Sequence, residues 1–251
     1  MEIDLGIIVL AGYALYFAAR LIFRYRVDFL LYAIIGLHFL SMVARTLELQ
    51  HFPIIGIADT FCLLSFILML FCAYGGIFSP GLIPGLTALV FLCISVVFYL
   101  TAGEAYVREE LKTALLPLHV IPAILGYAFY TVGFLGSAAN ILGGIFHKQR
   151  LEKLGNFSLK ANLIGNVFFG TGALVIGSVW AYVAWGSFWD WDAKETFSLV
   201  TFLVYSVYLF LGYKKKLDGM KLSFLCVASY SLLIFTYVGV TFLIQGRHSY
   251  R

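Results

Sequence analysis

All four tryptophans of this 251-residue chain fall between Trp180 and Thr196, in the run Trp-Ala-Tyr-Val-Ala-Trp-Gly-Ser-Phe-Trp-Asp-Trp-Asp-Ala-Lys-Glu-Thr. Trp180, Trp185, Trp189 and Trp191 thus sit beside Asp190, Asp192, Lys194 and Glu195, with a long apolar run on either side. Indoles favour the headgroup level of a bilayer, so an interfacial aromatic belt is one account. A belt, however, spreads tryptophans over many helix ends, and here one connection holds them all. The other account is a flat aromatic platform beside a few polar groups, suited to a large planar ligand. Gly186 lets the chain turn or approach such a ligand closely. Asp192, with Glu195 three residues later and an apolar run beyond, is also a capping pattern for a helix start, so it has a structural role available besides any orienting one.

Five histidines supply the remaining chemistry. His119, in Leu-Pro-Leu-His-Val, and His248, in Gly-Arg-His-Ser-Tyr, are candidate axial ligands of haem iron, for which histidine is a standard donor. Each taken alone also reads as an amphipathic residue resting at a membrane interface. His38 lies mid-way along an apolar segment, where an ionisable group is a functional hypothesis by default. A neutral imidazole bonded to a neighbouring helix is the structural alternative there. His51, in Gln-His-Phe-Pro, has no clear role, and His147, beside Lys148 and Arg150, reads as a cation complementing a helix C-terminus. Lys194 and Arg247 carry charge suited to a carboxylate-bearing ligand, Arg more specifically through its bidentate fork.

The elements that must hold these residues are membrane helices. The chain is 62% hydrophobic and 12% charged, with a mean hydropathy of +0.94, far more apolar than a soluble domain. Apolar stretches long enough to cross a bilayer run at about residues 5–23, 29–45, 55–78, 82–100, 118–146, 163–185, 196–213 and 222–244. The expected fold is therefore all-α, a polytopic membrane helix bundle of about eight transmembrane helices in a single domain, residues 1–251. No internal repeat or low-complexity linker interrupts it. Glu2 and Asp4 precede the first segment and Arg20, Arg24 and Arg26 follow it, the reverse of a signal peptide, so this helix is expected to be retained. Cys62, Cys72, Cys93 and Cys226 lie in apolar runs without a Cys-x-x-Cys pair, which excludes a disulfide framework and a dithiol motif. The net charge of +4 is what the cytoplasmic loops of a membrane protein produce and carries no nucleic-acid signal.

Lysine and arginine in short loops set orientation. Arg20, Arg24 and Arg26, then Lys148, Arg150, Lys153 and Lys160, then Lys214, Lys215, Lys216 and Lys221 mark the first, fifth and seventh connections as cytoplasmic. Both termini, the Glu104 to Lys112 loop and the tryptophan connection then face outward, with His119 and His248 on that same face. Together with the aromatic shelf, this common placement favours ligation over either histidine's bland reading.

The pattern Trp185, Gly186, Trp189, Trp191, Asp192, Lys194, Glu195, Thr196 resembles the tryptophan-rich (WWD) signature of the haem-handling membrane proteins of cytochrome c biogenesis. Its Asp-x-Lys-Glu-Thr ending is closer to the CcsA/ResC branch than to the CcmC branch. The resemblance extends to Arg45–Pro53, to His119 and the helix after it, to Gly177–Trp180 and to the terminal His-Ser-Tyr. It implies a protein that holds b-type haem on the outer face between His119 and His248 and presents it to apocytochrome c, whose Cys-x-x-Cys-His thiols form the thioether bonds. It also implies a CcsB/ResB-like membrane subunit, expected as a separate chain, with which this one would form a cytochrome c synthase. The setting expected is a bacterial cytoplasmic membrane, with a thylakoid membrane as the other possibility. Ala193 and Phe197 replace the proline and tryptophan common in that family, and Phe210 stands where a Tyr-Leu-His context usually supplies a membrane-embedded histidine. Phe cannot bind iron, so either His38 provides one of the ligands of that second site or the protein accepts haem differently. Two readings of other classes remain: a HemX-like accessory protein, opposed by the complete signature and both outer histidines, and a small-molecule transporter, opposed by the absence of repeats and by few midplane polar groups other than His38.

Overall fold

The computed structural model describes residues 2–23, 28–73, 82–102, 113–146 and 152–244. Among these the secondary structure is all helical: α1 (Glu2–Phe23), α2 (Asp28–Leu49), α3 (Ile57–Ala73), α4 (Leu82–Ala102), α5 (Leu115–Phe146), α6 (Glu152–Phe169), α7 (Gly177–Trp185), α8 (Ala193–Tyr213), α9 (Gly219–Ile234) and α10 (Val240–Leu243). Two π-helical segments, Gly170–Ile176 and Phe235–Gly239, join α6 to α7 and α9 to α10, so the described residues form eight rods. Five stretches are long and apolar enough to cross a bilayer: Phe29–Leu49, Leu115–Ile145, Lys153–Trp185, Ala193–Tyr213 and Gly219–Leu243. The all-α polytopic architecture expected from the apolar runs is the one observed.

Most rods begin a few residues before the hydropathy reading, and for two of them the sequence shows why. The sixth rod begins at Glu152, eleven residues before the apolar run expected from Leu163, so Lys153 and Lys160 belong to a helix and not to a loop. Both lysines are exposed while Ser158, Leu159 and Asn162 are buried, and this amphipathic first half is what an apolar-run count passes over. The rod's apolar span Lys153–Trp185, 33 residues, is about 50 Å long, well beyond the ~30 Å hydrocarbon core. The last rod begins at Gly219 because Asp218 caps it, its Oδ1 accepting the N–H groups of Met220 and Lys221 at 3.0 and 2.9 Å. That cap satisfies orphan amides ahead of the apolar run from Leu222.

The helices group into two compact units, Met1–Lys112 and Thr113–Arg251. In the first, α1 packs on α2 and α4, and α3 packs on α2 and α4. In the second, α5 and α6 pair antiparallel. Their register is visible in Tyr130 Oη donating to Asn166 Oδ1 at 2.7 Å, one end of a series that runs to His119 beside Gly172. The α8 rod lies antiparallel to α6, with Asn166 Nδ2 donating to Ser206 Oγ at 3.1 Å. The α9 rod lies antiparallel to α5, with the Thr131 and Tyr230 hydroxyls 2.9 Å apart and Asn140 Nδ2 donating to Ser223 Oγ at 2.9 Å. The start of α5, the end of α7, the start of α8 and the end of α10 therefore share one end of this unit, and Lys153 and Lys214–Lys216 lie at the other.

Leu163, Val167, Val175, Leu203, Val207 and Leu243 are exposed, while Asn140, Asn162, Asn166, Thr201, Ser223 and Thr236 are buried. This distribution suits a lipid solvent, in which polar side chains lie between helices and apolar ones face out. Small residues let the rods close up. A Cβ added at Gly126 would meet Phe169 Cβ and N at 2.9 Å and the Gly165 carbonyl at 3.0 Å, whereas one at Gly155 meets nothing within 4 Å. Gly126→Ala is therefore expected to destabilise the protein by about 1–3 kcal/mol through overpacking against backbone. Gly155→Ala should be neutral or stabilising by roughly 0.5–1 kcal/mol, as for a helix-interior glycine replaced without a clash. Thermal unfolding of the detergent-solubilised variants, read by circular dichroism, checks the contrast.

Candidate functional site

His119 lies in the first turns of α5 and faces the α6–α7 rod. Its Nδ1 is 2.8 Å from the backbone carbonyl of Gly172. A carbonyl oxygen can only accept, so Nδ1 carries the proton of the neutral ring and Nε2 carries the lone pair. That is the tautomer a metal-binding imidazole requires when its other nitrogen is anchored to backbone. The acceptor exists because the rod is π-helical here: the Gly177 N–H bonds the Gly172 carbonyl across five residues, a wider turn than the α-helix makes. Close approach is built in on both sides. A Cβ at Gly172 would come within 2.6 Å of Ala123 N and 2.8 Å of Pro122 Cβ, and one at Gly177 within 2.8 Å of His119 Cε1. Pro122, inside α5, lacks the N–H that would bond Leu118, so an irregular stretch of α5 faces an irregular stretch of its partner.

The imidazole stacks on Trp180, with ring centres 5.6 Å apart and planes inclined by 7°. Trp180 in turn meets Trp185 edge-on at 4.8 Å. Trp180 is 1% exposed, so it is an interior residue and not part of an interfacial belt. Trp191 behaves oppositely at 69% exposed, and Tyr182 and Phe188 stack on each other at 4.3 Å on the outside. The tryptophan stretch thus has an inner half, Trp180 and Trp185, joined to His119. Its outer half pairs Trp189 edge-on with Trp191 at 5.9 Å.

Residues 186–192 are tied at both ends. Gly186 ends α7 in the left-handed conformation at φ +78°, its N–H bonding the Tyr182 carbonyl at 2.8 Å; a glycine adopts this without steric cost. Asp192 caps α8, its Oδ1 accepting from Glu195 N at 2.8 Å. Glu195 Oε2 reaches back to accept from Asp190 N at 2.8 Å, two residues further out than in a capping box. Trp191, between these carboxylates, holds φ +57°, an uncommon state for a bulky residue that costs of order 1 kcal/mol or more. Trp189 Nε1 is buried without a hydrogen-bond partner among the described residues. A buried indole N–H normally finds one, so a ligand acceptor at this point would satisfy it.

Lys194 enters on the same end from the first turn of α8. Its ammonium lies 5.1 Å from the centre of the Tyr237 ring, in the second π segment. Tyr237 meets Tyr127 of α5 at 5.5 Å. His248 and Arg247 lie outside the described residues, as does His147; α10, which leads toward His248, ends at Leu243 on the end shared by His119 and the tryptophans.

The other sequence candidates sit in the first unit. His38 is fully buried, with Nδ1 3.3 Å from Tyr13 Oη and Nε2 3.3 Å from Cys62 Sγ, and Phe66 meets it edge-on. Both ring nitrogens are engaged by side chains of α1 and α3, the arrangement of an imidazole bonded to neighbouring helices. His51 follows α2, its Nδ1 3.1 Å from the Phe52 carbonyl. A polar cluster absent from the sequence reading links α2, α3 and α4: Tyr99 Oη donates to Asp59 Oδ1, and Arg45 Nε lies 3.9 Å from the same oxygen. Phe210 is 52% exposed on α8 beneath the Lys216 ammonium. Among the described residues no group of three His, Cys, Asp or Glu side chains gathers as a metal cluster, and all four cysteines are thiols.

Sequence reasoning singled out His119, Trp180 and Trp185, and Gly177 only as the start of a resembling segment, but not Gly172 and Pro122; together these three place the imidazole. The available signal was the spacing Gly165, Gly170, Gly172, Gly177 within one apolar run, a sign of close backbone approach.

Residues 26–248 match the family model described as cytochrome C assembly protein. Three relatives are each named cytochrome c biogenesis protein CcsA. One, from Synechococcus sp. (strain RCC307), is 27% identical over 84% of this chain and 79% of its own length. Another, from Chlamydomonas reinhardtii, is 29% identical over 84% of this chain and 64% of its own. A third, from Prochlorococcus marinus (strain MIT 9312), is 36% identical over 50% of this chain and 39% of its own. With a family match spanning nearly the whole chain, the protein belongs to the cytochrome c assembly protein family.

Proposed function

We propose that this membrane protein serves cytochrome c assembly by holding haem, its cargo, at the end of the second unit where His119 and the tryptophan connection meet. The observation that carries this reading is the His119 geometry: Nδ1 anchored on the Gly172 carbonyl and the ring laid flat on Trp180, which leaves Nε2 as the donor nitrogen. Imidazole of this tautomer is a strong axial ligand for haem iron. His248 is assigned as the second ligand, on its position four residues beyond Ile244. Trp185, Trp189 and Trp191, with Gly186 opening the turn, would cover a porphyrin face, Trp189 Nε1 offering a hydrogen-bond donor. Lys194, in the first turn of α8, and Arg247 are assigned as cations for a carboxylate of the ligand.

In this reading the end carrying His119 is the outer face of a bacterial cytoplasmic membrane, and the lysines at 153 and 214–216 are cytoplasmic, in accord with the bias of Lys and Arg to that side. Haem supplies the vinyl groups that receive the apocytochrome c thiols; the chain's residues bind, orient and shield it. A CcsB/ResB-like subunit completes the synthase. His38 is the one candidate of this chain for a second, membrane-embedded ligand, in competition with its bonds to Tyr13 and Cys62.

Purified protein is expected to show the sharp reduced absorption bands of bis-histidine b-type haem at near one per chain by pyridine haemochrome. His119→Ala and His248→Ala should each lose haem while staying in the membrane, and His119→Gly should regain the bands when imidazole is added. Full occupancy in His119→Ala would overturn that ligand's assignment. A ligand-positioning role for Gly177 predicts that Gly177→Ala weakens haem retention while α7 stays folded, because the new Cβ would collide with the His119 ring; unchanged haem content with unchanged stability counts against it.

The two roles of Asp192 separate by substitution. As a cap, Asp192→Ala should cost about 0.5–2 kcal/mol and Asp192→Asn almost nothing. If Asp192→Asn is as stable as the parent yet loses haem, its charge acts on the ligand. Thermal melts and haem content of the two variants, measured side by side, decide.

A further inference from the structure

The centre of the second unit holds polar atoms that the haem reading does not use. Tyr205 Oη, Asn162 Oδ1 and Ser158 Oγ are buried, on residues at most 1% exposed, without a hydrogen-bond partner among the described residues, and Ser137 Oγ, equally buried, has only the Cys226 thiol and the Tyr208 hydroxyl beside it. They come from three helices and lie at one level. Asn162 and Ser158 of α6 lie against Gly133 and Gly136 of α5. Ser137 follows on α5. Asn162 Nδ2 donates to Cys226 Sγ of α9 at 3.2 Å, and Cys226, 0% exposed, is bordered by Ser137, Tyr205 and Tyr208. From there polar contacts continue through Asn140, Ser223 and the Gly219 carbonyl to the end of the unit that carries Lys214–Lys216. Three unpartnered groups and a fourth beside only a thiol and a phenol, at one level of a membrane bundle, is far from the usual near-complete pairing of buried polar atoms.

We infer that this level is a binding site for ordered water, entered from the lysine-bearing end and centred on Cys226. The chemistry selects the occupant. Three hydroxyls can donate or accept and one amide oxygen accepts, the mixed set that a water molecule satisfies. No carboxylate is among them, so a metal cation would sit in a low-dielectric interior without a counter-charge. A larger organic ligand does not fit either, since Tyr130 and Tyr205 stack at 3.7 Å beside the site and the two glycines admit not even a methyl group. Water-mediated contacts re-form after small displacements more readily than direct ones. The site therefore gives the four helices a deformable centre, beneath the end where the cargo is held. It does not depend on what that cargo is.

Radiolytic hydroxyl-radical footprinting of the full-length protein in detergent tests the inference, because radicals generated from bound water label side chains that bulk solvent does not reach. Met69, buried at 0% exposure in the first unit, is the internal control, a sulfur side chain of equal burial with no such cluster around it. Cys226, Tyr205 and Tyr208 are expected to be labelled several-fold faster than their burial predicts, and Cys226 several-fold faster than Met69. Asn162→Leu, which replaces the amide by an apolar group of similar volume, should bring Cys226 down to the Met69 level. Labelling of Cys226 as slow as Met69 in the unsubstituted protein means a dry core and overturns the inference, whatever the haem content. Undiminished labelling in a folded Asn162→Leu protein overturns the assignment of this level as the site.

Discussion

The second unit answers to one constraint: inside a bilayer bulk water does not complete a backbone or side-chain hydrogen bond, so a partner has to be built in, within the protein or as an ordered occupant. The bond from His119 Nδ1 to the Gly172 carbonyl shows how the constraint becomes chemistry. The π turn that widens the rod leaves a carbonyl aimed at a neighbouring helix, and an imidazole nitrogen takes it. One contact satisfies a buried carbonyl and sets the ring's tautomer, since anchoring one ring nitrogen fixes the lone pair on the other. The tryptophan connection follows the same logic: Asp192, Glu195 and Gly186 close the open amides and carbonyls of two helix ends.

Much of this was legible before any coordinates. Apolar runs gave the number and approximate extent of the rods, and lysine placement put His119 and the tryptophans at one end, where the antiparallel register of α5 with α6 also puts them. The Asp192–Glu195 pair announced its cap. What could not be read is the set of partners. Gly-Thr-Gly-Ala-Leu-Val-Ile looks like any apolar helix, and a π turn differs from it by hydrogen bonds alone. The start at Glu152 was hidden because half of that segment is polar. The interior polar groups were undercounted for a related reason: Ser, Asn, Tyr and Thr scattered through apolar runs gain meaning only when opposite helices bring Asn162 to Cys226 or Thr201 to Thr236.

The two units treat their ionisable groups differently. In the first, Arg45, Asp59 and Tyr99 hold one another, and His38 is bonded on both sides. A buried charge pair of this kind is costly to break, because the partner left behind stays uncompensated. In the second, the groups at one end are placed by a backbone bond and by ring contacts: His119 on the Gly172 carbonyl and Trp180, Trp185 on Trp180, Trp189 on Trp191 and Lys194 over Tyr237. Self-contained pairing in one unit and placement by backbone and rings in the other is a difference that residue types alone do not disclose.

The π segment at Gly170–Ile176 also bears on how such a chain can change over time. An α-helix turns by about 100° per residue, so the extra residue of a π turn re-aims every side chain beyond it by that angle. Trp180 faces His119, with Trp185 against Trp180, in the phase set by this π turn. The distance in sequence between Asn162 and Trp180 is therefore an angular quantity as much as a length: a lineage that lost one residue there would keep its hydropathy profile and its tryptophans while turning the indoles away from the imidazole.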